Sequence, residues 1–194
     1  MENRILVVAD DLLGKEGEAA VKFSELLLCE YPARPIQFTL LPPVACPLDT
    51  LLSRVSQDII GKQAGRIVLG LGLWDLRRRG NAPAVFASYQ ALVRELISKT
   101  LAVVYLVTIP PAAFPGDVAV VNDLNRRIAT LADGDRVHVL DFASHLDEFS
   151  RLQSARGKFA RNLYNEKHEA TSIGQMLLGL FLQKHLFQPM KEIL

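Results

Sequence analysis

Cysteine is scarce in this sequence: Cys29 and Cys46 are the only two, and they stand at no zinc-type spacing. They build no disulfide framework, and unpaired thiols suit a reducing compartment. Charge of one sign is also lacking, since 22 lysines and arginines face 21 aspartates and glutamates. A balance of that kind sets up no long-range field to gather nucleic acid or an anionic membrane. No apolar stretch is long enough to span a bilayer, and no basic, apolar, small-residue leader precedes the first apolar run. No second histidine stands at ligand spacing from His168, so neither a metal nor a cofactor is expected. Internal repeats and low-complexity segments are missing as well. The expectation is one domain in the cytoplasm, or a domain of something larger, with no nucleic-acid or membrane partner.

What is present is apolar residues, 49% of the 194, enough for one sizeable core. The stretch RILVVADDLLG, residues 4 to 14, organises the rest. Ile5, Leu6, Val7 and Val8 form an unbroken run that suits a strand covered on both faces, and it stops at the turn formers Asp10, Asp11 and Gly14. A helix comes next, over 18–31. Further strands are expected at 36–41, 66–72, 101–109 and 137–140, and helices at 48–60, 84–99 and 120–131, with a closing helix around Ile173, Leu177, Leu180 and Phe181. LWDLRRRGNAP after the central strand reads as a loop, with Arg77, Arg78 and Arg79 as a solvated loop or helix start, or else an anion contact. Residues 142–162 show no firm element. Apolar strands alternating with helices predict an α/β fold: a flavodoxin-like three-layer α/β/α sandwich with a five-stranded parallel sheet in the order 2-1-3-4-5. In such a sheet chemistry sits at the carboxyl ends of the strands, which places Asp10 and Asp11 at the mouth.

In this order of elements the chain resembles the SGNH, or GDSL-type, hydrolases from Ile5 to about Leu182. ILVVADDLLG occupies the place of that family's Gly-Asp-Ser-Leu turn, and VACPLDTLLSRV the place of its glycine loop and leucine-rich helix. Gly72, Leu73, Trp74 and Asp75 stand for Gly-x-Asn-Asp, and Asn165, Glu166, Lys167 and His168 for Asp-x-x-His. VVYLVTIPP, VNDLNRRIATLA and VHVLDF fit as connecting pieces, while Gly174 stands one place later than the common spacing. The resemblance implies the SGNH-type fold, and it implies site positions residue by residue. The nucleophilic serine is Asp11 here, the oxyanion glycine is Ala45, the oxyanion asparagine is Trp74, and the histidine's carboxylate partner is Asn165. His168 keeps its identity, as do Asp10, Gly72 and Asp75, which shape the loops.

A serine esterase needs a hydroxyl activated by imidazole, an orienting carboxylate and donors aimed at the oxyanion. With these replaced, an ion pair between Asp11 and His168 is the plain reading. A reactive Asp11, or a binding site of Asp10, Asp11 and His168 for a polar ligand or, less favoured without a second histidine, a metal, is the alternative. Trp74 offers an indole N–H or fills the pocket with its ring. Cys46 is a small buried hydrophobe or a thiolate paired with His168. His138 reads as a core or edge residue, His145 and His185 as surface residues, and Tyr164 as a packing residue near the pocket. Three functions stand as expectations: a non-hydrolytic relative that binds a small molecule or protein, an esterase or acylhydrolase rebuilt on Asp11 or Cys46 with His168, and an interaction module with a filled cleft. The tail from Gln183 to Leu194 carries Leu186, Phe187, Met190, Ile193 and Leu194. It is expected to dock on its own domain or on a second copy, making a homo-oligomer.

Overall fold

The structure, a computed structural model of the chain, describes residues 4–10, 12, 25, 37–41, 47–155 and 163–187. Among these residues five strands form one sheet: β1 (Arg4–Ala9), β2 (Gln37–Leu41), β3 (Arg66–Gly70), β4 (Val103–Val107) and β5 (Val137–Leu140). Their order is β2-β1-β3-β4-β5, and every pairing is parallel. Parallel strands need crossover connections, whose helices cover both faces of the sheet, and this explains the continuous apolar runs. Ile5 to Val8, Ile67 to Leu69 and Val104 to Val107 are all buried.

The helices are α1 (Leu48–Ser53), α2 (Val55–Asp58), α3 (Leu73–Arg79), α4 (Ala82–Lys99), α5 (Val118–Ala129), α6 (Phe142–Ala155) and α7 (Ser172–Phe187). The helix expected at 48–60 is broken at Arg54. The Ser53 hydroxyl donates to the Thr50 carbonyl at 2.7 Å, and the Arg54 amide reaches back only three residues, to Leu51. Both tighten the last turn of α1. The loop expected after β3 is helical instead. Gly72 caps it in the left-handed conformation at φ 100°, and Gly80 closes it at φ 60°, a backbone that glycine adopts without strain. Residues 142–155 also fold into a helix, whose Phe142 and Leu146 are buried. The closing helix runs on to Phe187 with Leu186 buried, so the segment beyond it starts at 188, later than expected. The first helix expected, at 18–31, falls largely outside the described residues.

The strand order reverses between β1 and β3, so the crevice of the sheet opens at their carboxyl ends. Ala9 pairs with Gly70 at the last rung, and the Asp10 amide adds one more bond to the Gly70 carbonyl at 3.0 Å. The chain leaves the sheet there on both strands at once. At the neighbouring mouth of β4, Asn125 of α5 makes two reciprocal bonds with the Ile109 backbone, at 2.9 and 2.8 Å. Among the described residues no helix is long and apolar enough to cross a membrane.

Candidate functional site at the strand mouths

Asp10 is 3% exposed, and both of its carboxylate oxygens accept backbone amides. One takes the Leu12 amide and the other the Trp74 amide, both at 3.0 Å. The first bond makes the turn after β1, and the second ties that turn to the start of α3. Behind this carboxylate lies Tyr89, fully buried, whose hydroxyl donates a long 3.4 Å bond to the Leu69 carbonyl. Burial, and after it the negative charge of Asp10, push the Tyr89 phenol far above its ordinary value, so it stays neutral.

Asp75, the next residue after Trp74 in the first turn of α3, ties in a further segment. It is buried, one oxygen accepts the Leu48 amide at 3.0 Å, and the other lies 3.7 Å from Nη2 of Arg79. Desolvation raises its pKa, opposed by the Leu48 amide and the Arg79 charge. Arg79 also pairs with Asp49, which in turn accepts the Ser88 hydroxyl at 2.6 Å. Ser88 first and then Arg79 hold the Asp49 carboxyl below the usual range.

The arginine run is therefore neither a free loop nor a helix start, as the sequence suggested; it is the last turn of α3, and all three members are engaged. Arg78 places its guanidinium 5.0 Å from the centre of the half-buried Trp74 ring. Arg77 Nη2 donates to the Ala113 carbonyl at 2.8 Å and to the His168 carbonyl at 3.5 Å. Positive charge at a helix carboxyl end suits the helix dipole.

His168 sits at the tip of a small hairpin. The base of that hairpin is closed by an antiparallel bridge between Tyr164 and Ala170 and by the Thr171 amide bonding to the Leu163 carbonyl at 2.9 Å. A Cβ on Gly174 would stand 2.3 Å from the Leu163 carbonyl oxygen, so the shifted glycine is required where it is. Asn165 shapes the tip: its Oδ1 accepts the amides of Lys167 and Glu169 at 2.9 and 3.0 Å, and its Nδ2 donates to Glu169 Oε2 at 3.1 Å. His168 is held at φ 60°. Its Nδ1 lies 3.0 Å from the Ala112 carbonyl oxygen. A carbonyl only accepts, so this contact assigns the ring proton to Nδ1 and leaves Nε2 as the acceptor of the neutral ring.

The structure thus joins Asp10, Trp74 and Asp75 in one loop network, with Gly72 as its cap, and places His168 and Asn165 on the hairpin that Arg77 ties to the β4 mouth. Asp11, Ala45 and Cys46 lie outside the described residues, and with them the expected Asp11–His168 pair. Sequence reading missed Arg77 as a bridge and the Ala112 carbonyl as the partner of His168. Of the other histidines, His138 holds the edge position expected of it and His185 the helix end, whereas His145 departs from expectation. His145 is on α6, not on an irregular segment, and both it and His185 pack on Phe181, with ring centroids 5.0 and 4.4 Å away. His138 stacks on Tyr105 at 5.4 Å on the edge strand β5. Tyr164 is half-buried, and desolvation raises its phenol. Among the described residues no group of three or more His, Cys, Asp or Glu is arranged to hold a metal ion.

Solved structures of similar shape decide the fold. The acetyl xylan esterase AlAXEase superposes with a TM-score of 0.74 at 17% identity, over 93% of this chain and 98% of that one. A candidate GDSL-like lipase from Parabacteroides merdae gives 0.74 at 14% identity, over 94% and 95%. The psychrotrophic esterase EstA from Pseudoalteromonas sp. gives 0.67 at 17% identity, over 98% and 100%. The fold is that of the SGNH, or GDSL-type, hydrolases. Within this SGNH-type frame the resemblance read from the sequence blocks and the arrangement of the strands agree. No family model matches the sequence, and no curated protein does either.

Proposed function

We propose that this chain is a non-hydrolytic SGNH-type protein that acts by binding a small molecule or a protein at the mouth of its sheet. One observation carries the reading: Asn165, at the position where a carboxylate would orient the histidine, commits its carbonyl to the Lys167 and Glu169 amides, while the imidazole is held by a backbone carbonyl instead. A neutral carbonyl fixes the tautomer but gives much less stabilisation to an imidazolium than a carboxylate does. The residue types at the other positions point the same way. Asp11 puts an anion where a hydroxyl would attack, and Trp74 puts a bulky ring where an asparagine would serve the oxyanion. Loss of one oxyanion donor costs on the order of a hundred- to a thousandfold in rate. Cysteine usage supports a cytoplasmic setting.

A second reading has its own support. Because Nδ1 faces Ala112, Nε2 of the neutral ring is an acceptor suited to a general base, which is what an acylhydrolase rebuilt on Asp11 or Cys46 would need. A short-chain aryl ester assay separates the two. The binding role predicts no turnover above background, whereas turnover that vanishes in both Asp11→Ala and His168→Ala, or in Cys46→Ala, would establish the rebuilt hydrolase.

A further inference from the structure

Two of the three arginines that end α3 are tied up inside the protein. Arg77 donates to the Ala113 and His168 carbonyls, and Arg79 pairs with Asp49 and Asp75. Arg78 differs. It is exposed, its guanidinium makes no hydrogen bond or ion pair among the described residues, and it lies over the Trp74 ring at 5.0 Å from the ring centre. The carboxylates that feel its charge, Asp49 and Asp75, already have Arg79 as their partner. A guanidinium over an indole face is held in orientation and shielded from water on one side, while its in-plane N–H donors stay open to a second partner.

The place of this pair in the fold gives those open donors a use. Trp74, Arg77 and Arg78 stand at i, i+3 and i+4 on α3, so they adjoin on one side of the helix. Through its amide Trp74 is tied to Asp10 at the end of β1, and through Arg77 the same side reaches the β4 mouth and the histidine hairpin. Arg78 therefore stands at the rim of the crevice. A forked cation suits a carboxylate or phosphate, whose oxygens accept two of its N–H groups side by side. Stacking on Trp74 removes in advance much of the freedom that an exposed arginine loses on binding.

We propose that the Trp74–Arg78 pair is the anion-binding part of the mouth, and that the small molecule held there carries a carboxylate or phosphate group. This inference rests on the binding role proposed above and names the chemistry of its ligand.

Trp74 is the only tryptophan in the chain, so its emission reports on this position alone. Benzoate and phenyl phosphate, titrated into the full chain at constant ionic strength, should each change that emission saturably, and neutral benzamide should not. Arg78→Gln should weaken both anions by at least about tenfold, the loss expected for a charge-assisted pair. Arg78→Lys should recover part of that loss, and Arg94→Gln, at an exposed arginine on α4, should change nothing. The tighter of the two anions names the group. Calorimetry of the same titrations detects binding that leaves the indole emission unchanged. Saturation by neither anion in either measurement, benzamide binding as tightly as benzoate, or an Arg78→Gln variant that binds like the parent would overturn the proposal. The aryl ester assay on the same preparation keeps the two readings apart. Turnover there removes the non-hydrolytic role and leaves the anion site to stand or fall on its titration, whereas absence of both turnover and anion binding removes the anion site alone.

Discussion

Asp10 and Trp74 stand 64 positions apart and are joined by one bond, from the Trp74 amide to the second carboxylate oxygen of Asp10. Since the first oxygen already accepts Leu12, this one side chain sets both walls of the crevice between β1 and β3. Asp10→Ala strands one buried and one part-buried backbone donor and should cost on the order of 2–4 kcal/mol in urea unfolding. Asp10→Asn keeps one acceptor and should lose less. Equal and small losses for both would show that water replaces the carboxylate.

Restoring acid and hydroxyl should not restore an esterase. Asp11→Ser leaves Trp74 and Ala45 in place of the oxyanion donors. Adding Asn165→Asp puts a second carboxylate where the Asn165 amide now lies 3.1 Å from Glu169 Oε2, while the other oxygen still faces the Lys167 and Glu169 amides. Steady-state kinetics on an aryl acetate should show no efficient turnover for either variant. Robust activity would mean that the replaced positions matter less than their chemistry suggests.

Arg77 is the bridge between the β4 mouth and the histidine hairpin. Arg77→Ala removes a charge-assisted bond to Ala113 and the longer one to His168, worth roughly 1.5–3 kcal/mol for the pair. Amide exchange should speed up at 163–171 and 111–114 and stay unchanged in β3. Arg77→Lys keeps the charge on a shorter stem and should recover only part of the protection.

Acid should loosen the end of α7. Desolvation first, then the positive charges of Lys184 and His145, lower the His185 pKa from 6.5. The native state therefore binds fewer protons than the unfolded chain between that lowered value and 6.5. Stability rises with pH across the window and is lost on acidification through it. The melting temperature should drop between pH 7.5 and 5.5, and the drop should be smaller in His185→Gln. Identical drops would remove His185 from the account.

Much of the frame was legible because its physics repeats along the chain. Ile5–Val8, Ile67–Leu69 and Val104–Val107 are buried runs with turn formers after them, and runs like these announce parallel strands. The helix at Leu73–Arg79 was not legible, since it is one short element between two glycines whose start depends on Gly72 adopting φ 100°. Phe142 to Ala155 hid behind polar residues because its apolar stripe is narrow. In the site, Asp10, Gly72, Trp74, Asp75, Asn165 and His168 could be picked out by residue type and order. The partner of His168 could not, because the Ala112 carbonyl is a backbone group that every residue has. Arg77 was equally silent: it was one of three arginines until the fold set Ala113 beside it.

The hairpin that carries His168 also bears on how the molecule assembles. Its ties to the rest of the mouth join residues 56 and 91 positions apart, and the Asp10 and Asp75 links span 64 and 27. Contacts between such distant positions cost loop-closure entropy before they return any energy, so they form late on the folding route. Groups that join after the rate-limiting step leave refolding untouched and hold back only the escape from the native state. In stopped-flow traces Arg77→Ala should therefore leave the refolding arm unchanged and raise the unfolding rate, which makes the crevice the part of the protein that governs its lifetime.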